Sequence, residues 1–278
     1  MKAGNTIASM VLGWFVMGTL CPPQAAAEQS LKHEAWDILD AGMNDKSADR
    51  RAEAIAALGV AAGDEKALKT LEGCLHDPNE EIRMAAIAAL GDINAKSSLP
   101  KIKALLSDSD PKTTLTIAAV LKKFGDPEGF EIYYELFTGE RKDGQKLTDG
   151  LKDKKGLEKM GATAAIGILP FGGVATGAYD YINGNSKAGA NVYVTAVNAL
   201  AEDPDPQGKK ALLRAAFSGK EPVRLAALRA LAQRGDTTVV DDIEPAMYSG
   251  KSPVSYTAAA AILHLLAGGQ MFAAGRSK

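Results

Sequence analysis

The sequence predicts an all-α protein, a right-handed α-solenoid of about six helix pairs that carries a glycine-rich hydrophobic insertion. Two observations support this fold class. The nine residues Ile82–Leu90 return 141 positions later as Val223–Leu231, with small and apolar residues in the same places. Leucine or isoleucine also recurs at intervals of 31 or 32 residues, and we call these the reference positions: Leu58, Leu90, Leu121, Leu200, Leu231 and Ile262.

Each period divides into a first and a second amphipathic helix joined by a polar turn. In the second helix of the second repeat, apolar residues from Ile82 to Leu90 follow the i, i+3, i+4, i+7 spacing of one helix face. Proline preceded by an acidic residue or serine marks many helix starts, because proline at the first helical position loses no hydrogen bond. The predicted second helices are Asp49–Gly59, Glu80–Gly91, Lys112–Phe124, Asn191–Ala201, Glu221–Gln233 and Pro253–Leu266.

One interval is abnormal and predicts an insertion. Leu121 and Leu200 are 79 residues apart, which leaves 48 residues after one period is subtracted. We therefore place an insertion at 139–190, between the two helices of the fourth repeat. The remaining parts are repeats 1 to 3 with the first helix of repeat 4 (28–138), the second helix of repeat 4 with repeats 5 and 6 (191–267), and a tail (268–278).

The turn and second helix of the second repeat, DPNEEIRMAAIAALGD at Asp77–Asp92, resemble a HEAT repeat in its short, alanine-rich form, similar to the HEAT-like units of phycobilisome lyases. The resemblance implies that second helices line a concave side. It also implies that a turn aspartate and an early arginine bond along the stack, and the matching residues are Asp45, Arg51, Asp77, Arg83 and Arg224. In the repeat of Arg224 a serine replaces the aspartate.

The N-terminus predicts export. A charge-free stretch with an apolar core follows Lys2, and three alanines precede Glu28, which is typical of a secretory signal peptide at 1–27 cleaved after Ala27. A lipoprotein anchored at Cys21 and an uncleaved anchor are the less favoured alternatives. The predicted location is periplasmic or secreted. A chromophore-attachment role is set aside because phycobilisome lyases act beside cytoplasmic pigments. Cys74 would remain as a single thiol, which we interpret as a small buried residue.

The insertion contains a stretch without charge at 160–179. We favour two short helices that break near Pro170 and fold back on the solenoid. A surface-active hairpin is the second possibility, with a tip of Ile168, Leu169 and Phe171 that contacts a membrane or a partner. A true membrane span is disfavoured because glycine and proline interrupt the centre.

No group of residues in the sequence indicates a catalytic site or a metal site. His33, His76 and His264 lie in different repeats without a second ligand at metal spacing, and no carboxylate pair is placed for acid–base work. Removal of Lys2 with the signal changes the formal net charge from −2 to −3, which does not favour nucleic acid. We expect no cofactor, no metal and no enzymatic activity.

The favoured function is an exported, non-catalytic protein–protein interaction scaffold, because repeat stacks offer a long curved surface. A protein or peptide partner would bind on the concave face, where we expect contacts from Glu53, Tyr193 and Arg229. The alternative is a membrane- or lipid-associated protein that acts through the apolar insertion at 160–179.

Overall fold

The computed structural model describes residues 23–107, 111–138, 196–197, 199–201 and 205–275. These residues form helices and turns without a strand, so the all-α prediction is confirmed for them. The short stretches 196–197 and 199–201 are helical, and brief 3-10 turns flank several helices. The helices are α1 (Pro23–Met43), α2 (Ala48–Ala57), α3 (Glu65–Cys74), α4 (Glu80–Asp92), α5 (Leu99–Ala104), α6 (Pro111–Phe124), α7 (Pro127–Thr138), α8 (Pro206–Ser218), α9 (Glu221–Gln233), α10 (Val240–Ile243) and α11 (Pro253–Gly275).

Local sequence fixes where these helices begin. The Asn79 side chain accepts hydrogen bonds from the backbone N–H groups of Glu81 and Ile82, which would otherwise lack partners at the start of α4. Asp205 caps α8 in the same way, with Pro206 at the first helical position. The second helices α2, α4, α6 and α9 consequently start within one residue of the predicted positions, whereas α11 continues past the predicted end at Leu266 to Gly275.

The order of the helices in space differs from their order in the sequence. Helix α2 packs on α4, and α4 packs on α6, as neighbouring repeats should. The last helix, α11, packs on α9 on one side and on both α1 and α2 on the other. The second helices therefore stack in the order α6, α4, α2, α11, α9, and the C-terminal repeats continue the stack beyond the first repeat.

The middle of α4 and the first part of α11 are buried on every face. Eight consecutive residues of α4, Met84–Gly91, are buried, and so are ten consecutive residues of α11, Val254–Leu263. A helix at the surface would expose one stripe, so each of these helices is surrounded. The sequence carries a signal for this that the repeat count missed: residues 253–268 contain no Asp, Glu, Lys or Arg. A terminal repeat would need a polar outer face, so the charge-free helix indicates a central position.

Several predictions fall outside the described residues. They include the signal peptide up to residue 22, the insertion with Ile168, Leu169 and Phe171, and the proposed contact Tyr193. Within the described ranges, none of the helices combines the length and the apolar character that crossing a membrane requires.

Candidate functional site

The stacked second helices have one side that faces away from the first helices. Ser255 in α11 donates a hydrogen bond to the Met247 carbonyl of the preceding first-helix segment. Two residues further, Thr257 points roughly 200° away around the helix axis, toward the opposite side. We call the inner face the ten residues that lie five and two places before the reference positions: Thr116, Ala85, Glu53, Thr257 and Ala226, and Ala119, Ala88, Ala56, Ala260 and Arg229.

Small side chains make up most of the inner face, and most of them are buried. Ala260 is fully buried, and Thr257 is 2% exposed. Partial exposure is limited to Glu53, Ala119 and Arg229. The sequence analysis expected a partner to bind this side through Glu53, Tyr193 and Arg229. Of the ten inner-face residues few are accessible, and Glu53 and Arg229 are the charged ones.

Glu53 lies in an unfavourable electrostatic environment. Burial, followed by the negative charges of Glu221 and Asp49, raises the pKa of its carboxyl group, while Arg50 acts in the opposite direction. Glu221 belongs to α9 and Glu53 to α2, and α11 lies between these two helices. The stack therefore brings together carboxylates from repeats that are distant in the sequence.

Tyr256 of α11 is buried against the end of α1. The residue is 1% exposed, and its ring packs where a side chain at Gly42 would lie, since a Cβ built there would be 2.6 Å from Tyr256 Cε1 and 2.7 Å from Cζ. The buried hydroxyl has no hydrogen-bond partner among the described residues. Burial, then the charges of Asp45 and Glu53, raises the pKa of this phenol.

Asp45, Arg50 and Lys251 form an ion cluster between the turn before α2 and the turn before α11. Asp45 accepts hydrogen bonds from the Ser47 backbone N–H and from Arg50 Nε at 3.1 Å. Lys251, from the turn before α11, lies 3.4 Å from the other carboxylate oxygen. The backbone hydrogen bond from Ser47, followed by the positive charges of Arg50 and Lys251, holds the pKa of Asp45 below its usual value despite some burial. Arg50 is thus already engaged by Asp45.

The arginines predicted to bond along the stack donate hydrogen bonds to backbone carbonyls of their own repeat. Arg83 Nη1 donates to the Asp77 carbonyl oxygen at 2.9 Å, and Arg51 Nη1 donates to the Asp45 carbonyl oxygen at 3.0 Å. Arg224 Nε donates to the Ala216 carbonyl oxygen at 3.0 Å. These bonds join α2 and α4 to the turns before them and α9 to the last turn of α8.

Lysine–carboxylate pairs connect neighbouring repeats, and the sequence analysis did not identify them. Their partners lie 26 to 31 residues apart, close to one period, and a search for opposite charges at that spacing would have found them. One of them depresses a pKa strongly: hydrogen bonds from Thr238 and then Lys209 lower the pKa of Asp236 to about 2. The pairs are Lys66–Asp40 (2.9 Å), Lys101–Glu72 (2.6 Å), Lys123–Asp92 (3.1 Å) and Lys209–Asp236 (2.9 Å).

Cysteine and histidine residues are not gathered into a reactive site in the described parts of the chain. Cys74 is half-buried, and burial, followed by the charge of Asp77, raises its thiol pKa. His76 is exposed, whereas His264 Nδ1 lies 2.6 Å from the Ala62 carbonyl oxygen and joins α11 to the first repeat. Among these residues no group of three His, Cys, Asp or Glu side chains is arranged to hold a metal ion.

Comparison with known proteins agrees with the helical repeats. A family model for HEAT repeats matches residues 36–122, 75–167 and 186–263, which together make up well over half of the chain. No curated protein matches the sequence.

Proposed function

Because the chain belongs to the HEAT repeat family, we propose that it is a non-catalytic scaffold that binds a protein or peptide partner on the inner side of its second helices. HEAT repeats commonly mediate protein–protein interaction. The observation that supports the proposal is the continuous stack α6, α4, α2, α11, α9. On the inner face of this stack the charged residues Glu53 and Arg229 are partly exposed, and their neighbours have small side chains. A partner would recognise these charges above an apolar floor.

We further propose that the scaffold is exported, with cleavage after Ala27 and a periplasmic or secreted location. The charge-free N-terminal stretch supports this proposal. Residues 26–30 at the start of α1 are exposed, and the first buried side chains described in α1 are Ala35 and Trp36, so cleavage would remove no side chain that is buried in the described part of the chain. Mass spectrometry of the protein recovered from the extracytoplasmic fraction tests this, and a mass that includes residues 1–27 would contradict it.

Site-specific photo-crosslinking tests the binding surface. A photoreactive amino acid is placed at Arg50 and Gln233, two exposed positions beside the inner face, and at Lys69 and Lys210 on the first helices as controls. We expect a discrete adduct with a host protein from the inner positions and not from the controls. Adducts from the control positions alone would contradict an inner binding side.

Liposome co-sedimentation distinguishes the scaffold from the alternative prediction, a membrane-associated protein that acts through the insertion at 160–179. The chain is compared with the variant Leu169→Ser/Phe171→Ser and with a deletion of residues 141–188. A scaffold keeps its crosslinked partner after the deletion and does not sediment with vesicles. Vesicle binding that both variants abolish would contradict the scaffold proposal and make the insertion the functional part.

A further inference from the structure

The inner side of α4 is buried although no described helix lies in front of it. Ala85 and Ala88, which belong to the inner face, are 4% and 2% exposed. The described neighbours of α4 are α2 with the turn after it and α6 on the two flanks, and α3 behind. In a stack of two layers the fourth side of such a helix faces solvent, and alanines there keep part of their surface exposed. The burial of this side indicates a further layer of chain.

The same holds for the next two helices of the stack. Ala56 of α2 is 7% exposed, and Thr257 and Ala260 of α11 are 2% and 0% exposed. The flanks of α11 are occupied by α2 and α9, and α1 packs on it from the first-helix side. The buried surface therefore extends over α4, α2 and α11, which at 8–10 Å per helix form a strip about 24–30 Å long.

The chain between α7 and the helical residues at 199–201 connects opposite ends of the stack. Helix α7 ends at Thr138 and packs on α6, the second helix at one end. At the other end, Arg234 at the end of α9 donates a hydrogen bond from Nη1 to the Leu200 carbonyl oxygen at 2.9 Å, and α11 occupies the opposite flank of α9. Residues 139–195 must therefore travel the length of the stack, about 40–50 Å.

We infer that the inner face is the docking surface of the chain's own segment 160–179, which lies outside the described residues. This segment contains twenty residues without a charge, and even as a helix it would reach about 30 Å, the length of the buried strip. Its many glycines and alanines allow close approach to an alanine-rich surface, and both surfaces lose apolar contact with water. The N-terminal apolar stretch up to residue 22 fits less well, because it continues from α1 in the first-helix layer.

The inference goes beyond the proposed function, because the contact is made within one chain. The small residues of the inner face would form the floor on which the segment packs. Glu53 and Arg229, which are partly exposed, would remain as the accessible groups for a protein partner.

Cysteine alkylation tests the contact. In the full chain with Cys21→Ser and Cys74→Ser, iodoacetamide is reacted with Ala88→Cys on the inner face and with Lys69→Cys at an exposed position of α3. We expect Ala88→Cys to react at least about tenfold more slowly than Lys69→Cys. Deletion of residues 160–179 should remove this difference, since the remaining residues of 139–195 are long enough to join the two ends.

A second buried position reports on the fold. Ala86 is 0% exposed and points roughly 200° away from Ala88, toward the first helices, so Ala86→Cys should stay protected after the deletion. Fast alkylation of Ala88→Cys in the intact chain would overturn the inference. Protection that survives the deletion would also overturn it. So would protection that is lost when only residues 1–27 are removed, because the N-terminal stretch would then be the occupant.

Photo-crosslinking in the intact chain decides the question even if the deletion unfolds the protein. A diazirine amino acid replaces Ala88, and trypsin releases the segment in one peptide, because no Lys or Arg lies between Lys159 and Lys187. We expect a crosslink to peptide 160–187 at the mass of a monomer. A crosslinked dimer, or crosslinks to other peptides alone, would overturn the inference.

The photo-crosslinking positions at Arg50 and Gln233 separate this inference from the scaffold proposal. Host-protein adducts there, together with fast alkylation of Ala88→Cys in the intact chain, would overturn the inference and leave the scaffold proposal standing. A crosslink from position 88 to peptide 160–187 without any host-protein adduct would confirm the contact and contradict the scaffold proposal.

Discussion

Two junctions between neighbouring repeats are built in different ways. At the sequential junction of α2 and α4, small residues allow the backbones to lie close together. A Cβ built at Gly59, which directly follows α2, would lie 3.2 Å from the Ala89 Cα. Exposed pairs such as Lys66–Asp40 accompany these contacts. At the non-sequential junction, α11 inserts the whole Tyr256 ring into the space left by Gly42 and brings His264 to the Ala62 carbonyl oxygen.

The difference follows from chain connectivity. Helices α2 and α4 are connected through α3 by short turns, so packing of small residues is enough to set their positions. No short connection holds α11 beside α1, because almost the whole chain lies between them, and closing so long a loop costs conformational entropy. A large side chain in a matching space supplies the stabilisation and the register that the connection does not.

Truncating Tyr256 should have the largest effect on the non-sequential junction. Tyr256→Ala removes a ring that is 1% exposed and should lower the free energy of unfolding by about 3–5 kcal/mol. Tyr248→Ala is the control, because that ring is 54% exposed and its loss should change stability little. Urea denaturation of both variants measures the two free energies of unfolding. Similar decreases in the two variants would show that the Tyr256 ring does not stabilise the non-sequential junction.

Filling the space at Gly42 should have the next largest effect. Gly42→Ala places a Cβ against the Tyr256 ring and should cost about 1–3 kcal/mol of unfolding free energy. Gly73→Ala is the matched control in α3, where a Cβ meets nothing within 4 Å and alanine should stabilise the helix by about 0.5–1 kcal/mol.

The combination of the two variants sharpens this prediction. In a Tyr256→Ala background the ring is gone, while the Ala54 Cβ, 2.8 Å from a Cβ built at Gly42, remains, so Gly42→Ala should cost less than in the unaltered chain and the two free-energy changes should not be additive. Urea denaturation of the double variant measures the coupling. Additive costs would show that the contact with the Ala54 Cβ, and not the ring contact, is responsible.

The sequence predicted the helices better than their arrangement. Proline positions, capping residues and the apolar period placed α4 and α9 at their observed starts. The wrap of α11 onto α1 depends on the fit of Tyr256 to Gly42, two residues 214 positions apart, and no local pattern reports such a fit. Glu53 and Arg229 were chosen as inner residues from their helical register, but the approach of Glu221 to Glu53 required the spatial order.

Removing the His264 contact should have a smaller effect. Its Nδ1 lies 2.6 Å from the Ala62 carbonyl oxygen, and His264→Ala should lower the free energy of unfolding by about 1 kcal/mol through loss of that hydrogen bond. His76→Ala, an exposed histidine in a turn, should be close to neutral. An equal effect of the two substitutions would show that His264 does not hold the junction.

Neutralising Glu53 should have the smallest effect, and its sign distinguishes a binding residue from a stabilising one. Because burial and the charges of Glu221 and Asp49 raise its pKa in the folded state, ionised Glu53 opposes folding. This penalty is absent at a pH below its ordinary value of 4.5, grows as the pH rises through the raised pKa, and is constant above it.

Glu53→Gln should therefore increase the free energy of unfolding at pH 7 by about 0.5 kcal/mol and leave it unchanged below pH 4. Glu65→Gln should act in the opposite direction, since a hydrogen bond from Lys69 lowers the pKa of Glu65. Urea denaturation at both pH values measures these changes. A loss of stability in Glu53→Gln at pH 7 would mean that the carboxylate already has a stabilising partner within the fold.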